Sequence, residues 1–194
     1  MSWALIPLTE EQHAIQSTAR DFAQSELAPH SARWDRDAFF DRAVASKLGA
    51  LGFLGMMIPE RYDGLGLDTC TYLVALEEIA AVDASMAVLM SVHNSLPTQM
   101  LLRYGSSAQK EQFLRPMARG EWLGAFALSE PDAGSDAASL TTRAVRDGDH
   151  YLISGVKSWV SAGAHADVIL AMARTDSLSD RKGARGISTF IVTP

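Results

Sequence analysis

Residues 122–136 read WLGAFALSEPDAGSD: an apolar run that stops in nine residues carrying three carboxylates, two serines, a proline and a glycine. Residues 122–128 are short and apolar, and Gly120 precedes them, so they read as a strand. Such a strand ending in polar, turn-forming chemistry points to a turn that faces either water or a ligand. Beyond it the period stays that of strands. Residues 140–146 and 150–153 flank Asp147-Gly148-Asp149, a hairpin signal, and 166–173 and 187–192 are β-rich runs. The polar stretch between those runs, TDSLSDRKGARG at 175–186, reads as a mobile surface loop.

Upstream of Gly120 the period is helical. Thr9-Glu10-Glu11-Gln12 matches a capping box, after which Ile15, Ala19, Phe22, Ala23 and Leu27 recur at helical spacing until Pro29. A second helix is expected over 38–51, closing near Gly52. PERYDGLG at 59–66 is a turn by composition. Asp68 or Thr69 starts a third helix reaching about Ala81, and Asp83 starts a fourth over 85–93. Pro97 opens a fifth that Gly105 ends. Ser106-Ser107-Ala108-Gln109 repeats the capping-box pattern and opens a sixth toward Gly120.

Helices followed by strands, without βαβ alternation, predict an α+β multidomain chain. An N-terminal all-α helical domain (1–120) is followed by an antiparallel β-barrel-like domain (121–194). Four or five strands form a small sheet with a hanging edge. The β domain is therefore expected to be truncated, as in a split or fragmentary protein.

The composition excludes several function classes. A chain of 194 residues with 47% hydrophobic and 21% charged residues can bury a core. A net charge of −6 and no Lys/Arg block leave no nucleic-acid footprint. Cys70, the lone cysteine, excludes an intrachain disulfide and a Cys-based zinc site, and is expected to be a small buried residue in a reducing compartment. MSWALIPLTEEQ has neither a basic leader region nor an apolar run long enough to span a membrane, so a cytoplasmic location is expected.

Short motifs point nowhere by themselves. Gly64-Leu65-Gly66 begins a GxGxxG but has no preceding strand and lacks the third glycine. Ser154-Gly155-Val156-Lys157 matches a bare S-x-x-K without its companion motifs, and reads instead as a tight turn using Gly155. Glu77 and Glu78 are neighbours on a helix, pointing about 100° apart, so they form no acid/base pair. The five histidines show no metal-ligand spacing, and His93 is read first as a hydrogen-bonded structural residue.

Three longer stretches carry a resemblance: FALSEPDAGSDAASLTTRA at 126–144, GDHYLISGVKSWVSAGAHAD at 148–167, and LGFLGMMIPERYDGLG at 51–66. Together they resemble the N-terminal half of the acyl-CoA dehydrogenase flavoproteins, across essentially the whole chain. The family pattern has Thr or Ser before Glu-Pro, then x-A-G-S-D, then G-x-K-x-W-[IV]-[ST].

The resemblance implies FAD-dependent oxidation of an acyl-CoA thioester to the trans-2-enoyl-CoA, with hydride passing to flavin N5. It implies flavin contacts at Phe126, Ala127, Leu128, Ser129, Gly134, Ser135, Trp159, Val160 and Ser161. Ser135 would also touch the acyl-CoA. Glu130 and Asp136 are read as turn-stabilising groups. The segment 89–94 resembles the family's helix at the floor of the acyl pocket, and SVHNSL at 91–96 has the flavour of short-chain or short branched-chain members. The family's catalytic Glu matches no residue here and is expected beyond Pro194. Electron-transfer flavoprotein is the implied electron acceptor, and a homotetramer the implied assembly once a C-terminal half is supplied. A flavin monooxygenase of the same fold and a non-catalytic assembly module remain the alternatives.

Overall fold

A computed structural model describes residues 7–175 and 183–193. The chain divides into two compact units, Met1–Trp122 and Leu123–Pro194. The stretch 176–182, and with it most of the expected surface loop, lies outside the described residues.

The first unit is helical. Helix α1 (Glu10–Phe22) starts at the expected capping box, with the Thr9 hydroxyl accepting from Gln12 N–H and the Gln12 side chain accepting from Thr9 N–H. It runs on through a π-helical turn, Ala23–Leu27. Sequence reading missed α2 (Ser31–Asp37), whose N-cap His30 makes no side-chain cap and which follows directly on Pro29. Its C-cap Ala38 sits at φ 49°, so the next helix cannot begin there; α3 (Arg42–Ala50) begins instead under an Asp41 cap.

Helix α4 (Thr69–Ala80) is capped by Asp68 and α5 (Ala84–Ser95) by Asp83. Helix α6 (Pro97–Tyr104) carries Pro97 in its first turn. The last helical stretch is α7 (Ser107–Gln109), a π turn, and α8 (Arg115–Ala118). Helix α1 lies on α4, with Ala19 and Phe22 of the first and Ala75 and Ile79 of the second buried, and a two-pronged Arg20–Glu78 pair (2.6 and 2.9 Å) joins the two helices. Cys70 is exposed, against expectation. The buried stripe of α4 runs through Thr71, Tyr72, Ala75 and Ile79 and leaves Cys70 outside it. No helix of the described residues is long and apolar enough to cross a membrane.

The end of α5 is pinned by buried polar groups. Asn94 donates to the Phe53 and Met90 carbonyls and accepts from Met56 N–H. His93 is fully buried, its Nε2 3.0 Å from the Met117 carbonyl oxygen, so the structural reading of this histidine holds. Burial outweighs that carbonyl and lowers its pKa from 6.5 to about 4. As pH falls below 6.5, the unfolded chain takes up a proton that the folded unit refuses. Stability should then drop by up to about 1.4 kcal/mol per pH unit. Urea midpoints measured between about pH 6.5 and 5 should slope in the native chain and flatten in His93→Gln. An unchanged slope would assign the effect to another group.

The second unit is built on β4 (Val168–Arg174), whose buried Val168, Leu170, Met172 and Ala173 make it the core strand. It pairs with β1 (Gly124–Ala127) in parallel, from Gly124↔Val168 to Ala127↔Ala171, and with β5 (Ile187–Val192) antiparallel. Strands β2 (Arg143–Asp147) and β3 (His150–Ser154) form the expected hairpin. Gly148 opens its two-residue turn at φ 61°. Strand β2 joins β4 in parallel through Arg143↔Arg174. The strand unit is as expected in following the helices and in not closing into a barrel, but the sheet is mixed and not all antiparallel. The excursion from β1 to β4 spans 40 residues (128–167), long enough for a parallel return. All five residues of β3 are exposed, with Leu152 at 61%.

Candidate functional site after strand β1

Strand β1 buries Ala125 and Ala127 and leaves Phe126 half-buried; Leu128 and Ser129 follow, also half-buried. The chain then folds back at Pro131-Asp132. Glu130 N–H donates to the Ala133 carbonyl (3.0 Å), and Ala133 N–H donates in return (3.2 Å). Gly134 and Ser135 emerge exposed from this turn. A Cβ added at Gly134 would meet no heavy atom within 4 Å, and its φ lies outside the left-handed region. The packing of the described residues therefore does not require glycine there.

Glu130 is only 6% exposed. Its carboxylate accepts from Thr141 N–H (2.6 Å), the Thr141 hydroxyl (2.9 Å), Thr142 N–H (2.9 Å) and Lys157 Nζ (2.8 Å). Burial alone would raise its pKa, but the Lys157 ammonium and the threonine donors outweigh burial and hold the carboxyl well below the usual range. A carboxylate so committed is a poor base, and the turn-stabilising reading of Glu130 fits. Asp136 does similar local work, accepting from the Ser139 hydroxyl as its carbonyl takes Ser139 N–H.

The segment after β3 lies along this loop. Lys157 Nζ donates to the Leu128 carbonyl (3.0 Å), and Ser158 N–H donates to the Ser129 carbonyl (2.9 Å). Gly155, just before these residues, passes close to Thr142, where a Cβ would lie 2.3 Å from Thr142 Oγ1. Ser154 and Lys157 are no nucleophile–base pair, because the ammonium is spent on Glu130 and Leu128.

Trp159 follows immediately, at φ 60° and 94% exposed. A left-handed non-glycine residue costs about 1–2 kcal/mol. The residue so strained is also the largest apolar side chain of the segment, and it is presented to the outside. Val160 and Ser161 are half-buried, and Gly163 N–H closes a turn on the Val160 carbonyl. The structure thus joins the Leu128-Ser129 and Trp159 segments directly, and leaves Gly134 and Ser135 connected to them through the Glu130 turn. Lys157 is a site residue that the resemblance does not name. Its signal in the sequence is its fixed place in G-x-K-x-W. An open cleft of about 880 Å³ in the helical unit, lined among others by Trp34, Phe39 and Met86, contains none of these residues.

Two family profiles match the chain: acyl-CoA dehydrogenase, N-terminal domain, over residues 9–121, and acyl-CoA dehydrogenase, middle domain, over 125–194. The chain belongs to the acyl-CoA dehydrogenase family. It is 42% identical over 187 residues to the mitochondrial short-chain specific acyl-CoA dehydrogenase of Mus musculus, covering 96% of this chain and 45% of that protein. Among solved structures, butyryl-CoA dehydrogenase from Megasphaera elsdenii matches with a TM-score of 0.90 and 36% identity, over 97% of this chain and 49% of the other. A chain in the structure of the electron transferring flavoprotein of Acidaminococcus fermentans matches with a TM-score of 0.91 and 38% identity, over all of this chain and 50% of that one. This acyl-CoA dehydrogenase family chain spans about half the length of the relatives it matches.

Proposed function

We propose that the chain supplies the FAD-contacting part of an acyl-CoA dehydrogenase that oxidises a short-chain acyl-CoA thioester to the trans-2-enoyl-CoA. The observation that carries this reading is Trp159, strained and fully presented beside a segment laced to Ser129. An apolar ring held outward in this way provides flat cover for a planar ligand. The Leu128 backbone and the Ser129 and Ser161 hydroxyls supply polar contacts to the ring edges. Phe126 and Val160, both half-buried, would line the same wall, the buried Ala127 would contribute through its backbone, and Gly134 leaves room for close approach. Ser135 lies at the phosphate end and contacts the acyl-CoA. FAD, when bound, accepts the hydride equivalent leaving the substrate β-carbon. The short-chain preference is supported by relatives named for short-chain substrates and for butyryl-CoA.

The base that takes the α-proton is assigned to no residue of this chain. Glu130 is committed to Lys157 and the threonines, and Glu78 to Arg20. The remainder of a family-length protein would supply it, and would build the tetramer. An electron-transfer flavoprotein would reoxidise the cofactor.

FAD titrated into the purified chain should show a shifted, quenched flavin spectrum. Adding a polypeptide that supplies the family's second half should allow butyryl-CoA to bleach it. Trp159→Ala should weaken FAD binding about tenfold or more, the worth of one aromatic stacking pair. Its melting temperature should not change, because the side chain is exposed. No flavin binding by the native chain, alone or complemented, would sink the proposal.

A further inference from the structure

We propose that Lys157 is a positioning residue: through its ion pair with Glu130 it sets the register between the Ser129 and Trp159 segments and polarises the Leu128–Ser129 peptide toward the ligand. This rests on the FAD reading of the same site. Three consecutive residues act together. Lys157 binds the Leu128 carbonyl, Ser158 binds the Ser129 carbonyl, and Trp159 follows. The ammonium donates in two directions, 3.0 Å to Leu128 O and 2.8 Å to Glu130 Oε1.

Both side chains of the pair are nearly out of water, at 13% and 4% exposure. Desolvating two charges offsets most of their attraction, so a neutral pair that kept an acceptor for the Thr141 and Thr142 donors would hold the fold about as well. What such a pair could not supply is a cation on the Leu128 carbonyl. A charge-assisted bond to that oxygen draws density from the peptide and makes the Ser129 N–H a stronger donor. Glu130 in turn is fixed by Thr141 and Thr142 at the start of β2, so the lysine is tethered to the sheet and not to a free loop.

The test compares Lys157→Met, Lys157→Arg and the double variant Glu130→Gln/Lys157→Met with the native chain, by melting temperature, FAD affinity with the bound-flavin spectrum, and deuterium exchange of the 157–163 amides. Lys157→Met should lose stability, and the double variant should recover part of it. Both should bind FAD several-fold more weakly, because the Ser129 N–H remains a donor but loses its polarisation and its register, with an altered spectrum. The Ser158 amide should exchange faster in both, and Lys157→Arg should restore affinity and protection. Native FAD affinity and native Ser158 protection in the double variant would overturn the proposal and leave the pair a purely structural role. If the native chain binds no flavin, the cofactor reading fails alone, and exchange at Ser158 still decides whether Lys157 sets the register.

Discussion

Glu130→Ala is expected to destabilise the strand unit by about 3–5 kcal/mol, the cost of leaving a buried charge without its partner. The substitution strands the Lys157 ammonium and removes the acceptor for Thr141 N–H and Thr142 N–H together. Three segments converge on this carboxylate: the turn after β1, the entry to β2 and the exit from β3. Denaturant titration followed by a probe in the strand unit measures the loss. A change under about 1 kcal/mol, the range of exposed pairs, would show that the pair behaves as a surface one. The pH dependence has a definite sign. Because the folded carboxyl is held below its ordinary value, its contribution is fully present above the unfolded pKa of about 4.3 and is lost as pH falls further. The acid limb of the native unfolding curve should therefore be steeper than that of Glu130→Gln. This window lies below the one set by His93, and the two act in different units.

Gly134→Val is expected to abolish tight FAD binding while leaving the fold intact. An added Cβ meets nothing within 4 Å and the backbone is not left-handed, so the melting temperature should move by no more than a degree or two. If the open face of Gly134 is where the cofactor backbone approaches, the two extra methyls overpack that contact. Overpacking costs about 1–3 kcal/mol, or roughly 10–100-fold in affinity. Gly134→Ala should fall between the two. Wild-type FAD affinity in Gly134→Val would place the cofactor elsewhere and remove Gly134 from the site. A large drop in melting temperature would show instead that the glycine serves the fold.

Much of the secondary structure was legible residue by residue. The capping boxes at Thr9/Gln12 and Ser106/Gln109 both form, as do the Asp68 and Asp83 caps. The Asp147-Gly148-Asp149 hairpin and β5 fall where the pattern puts them. These features rest on groups three or four residues apart, or on a single turn, so local chemistry decides them. Helix α2 escaped because its start carries no capping side chain, and the burial of Cys70 was misjudged because a hydrophobic-type residue next to a cap need not face the core.

The serine, glycine and tryptophan of the candidate site were visible as a pattern in the amino-acid sequence, which by itself determined the order of elements, the caps and the family. Tertiary structure alone decided that β1 and β4 run parallel, that Trp159 is left-handed and exposed, and that Lys157 and Glu130 form the joint holding Ser129 beside it. The two pairings depend on groups 27 to 44 residues apart, Glu130 with Lys157 and Gly124 with Val168. Over such distances the partner is chosen by burial and by the need to satisfy every desolvated charge, and neither is written in the local sequence.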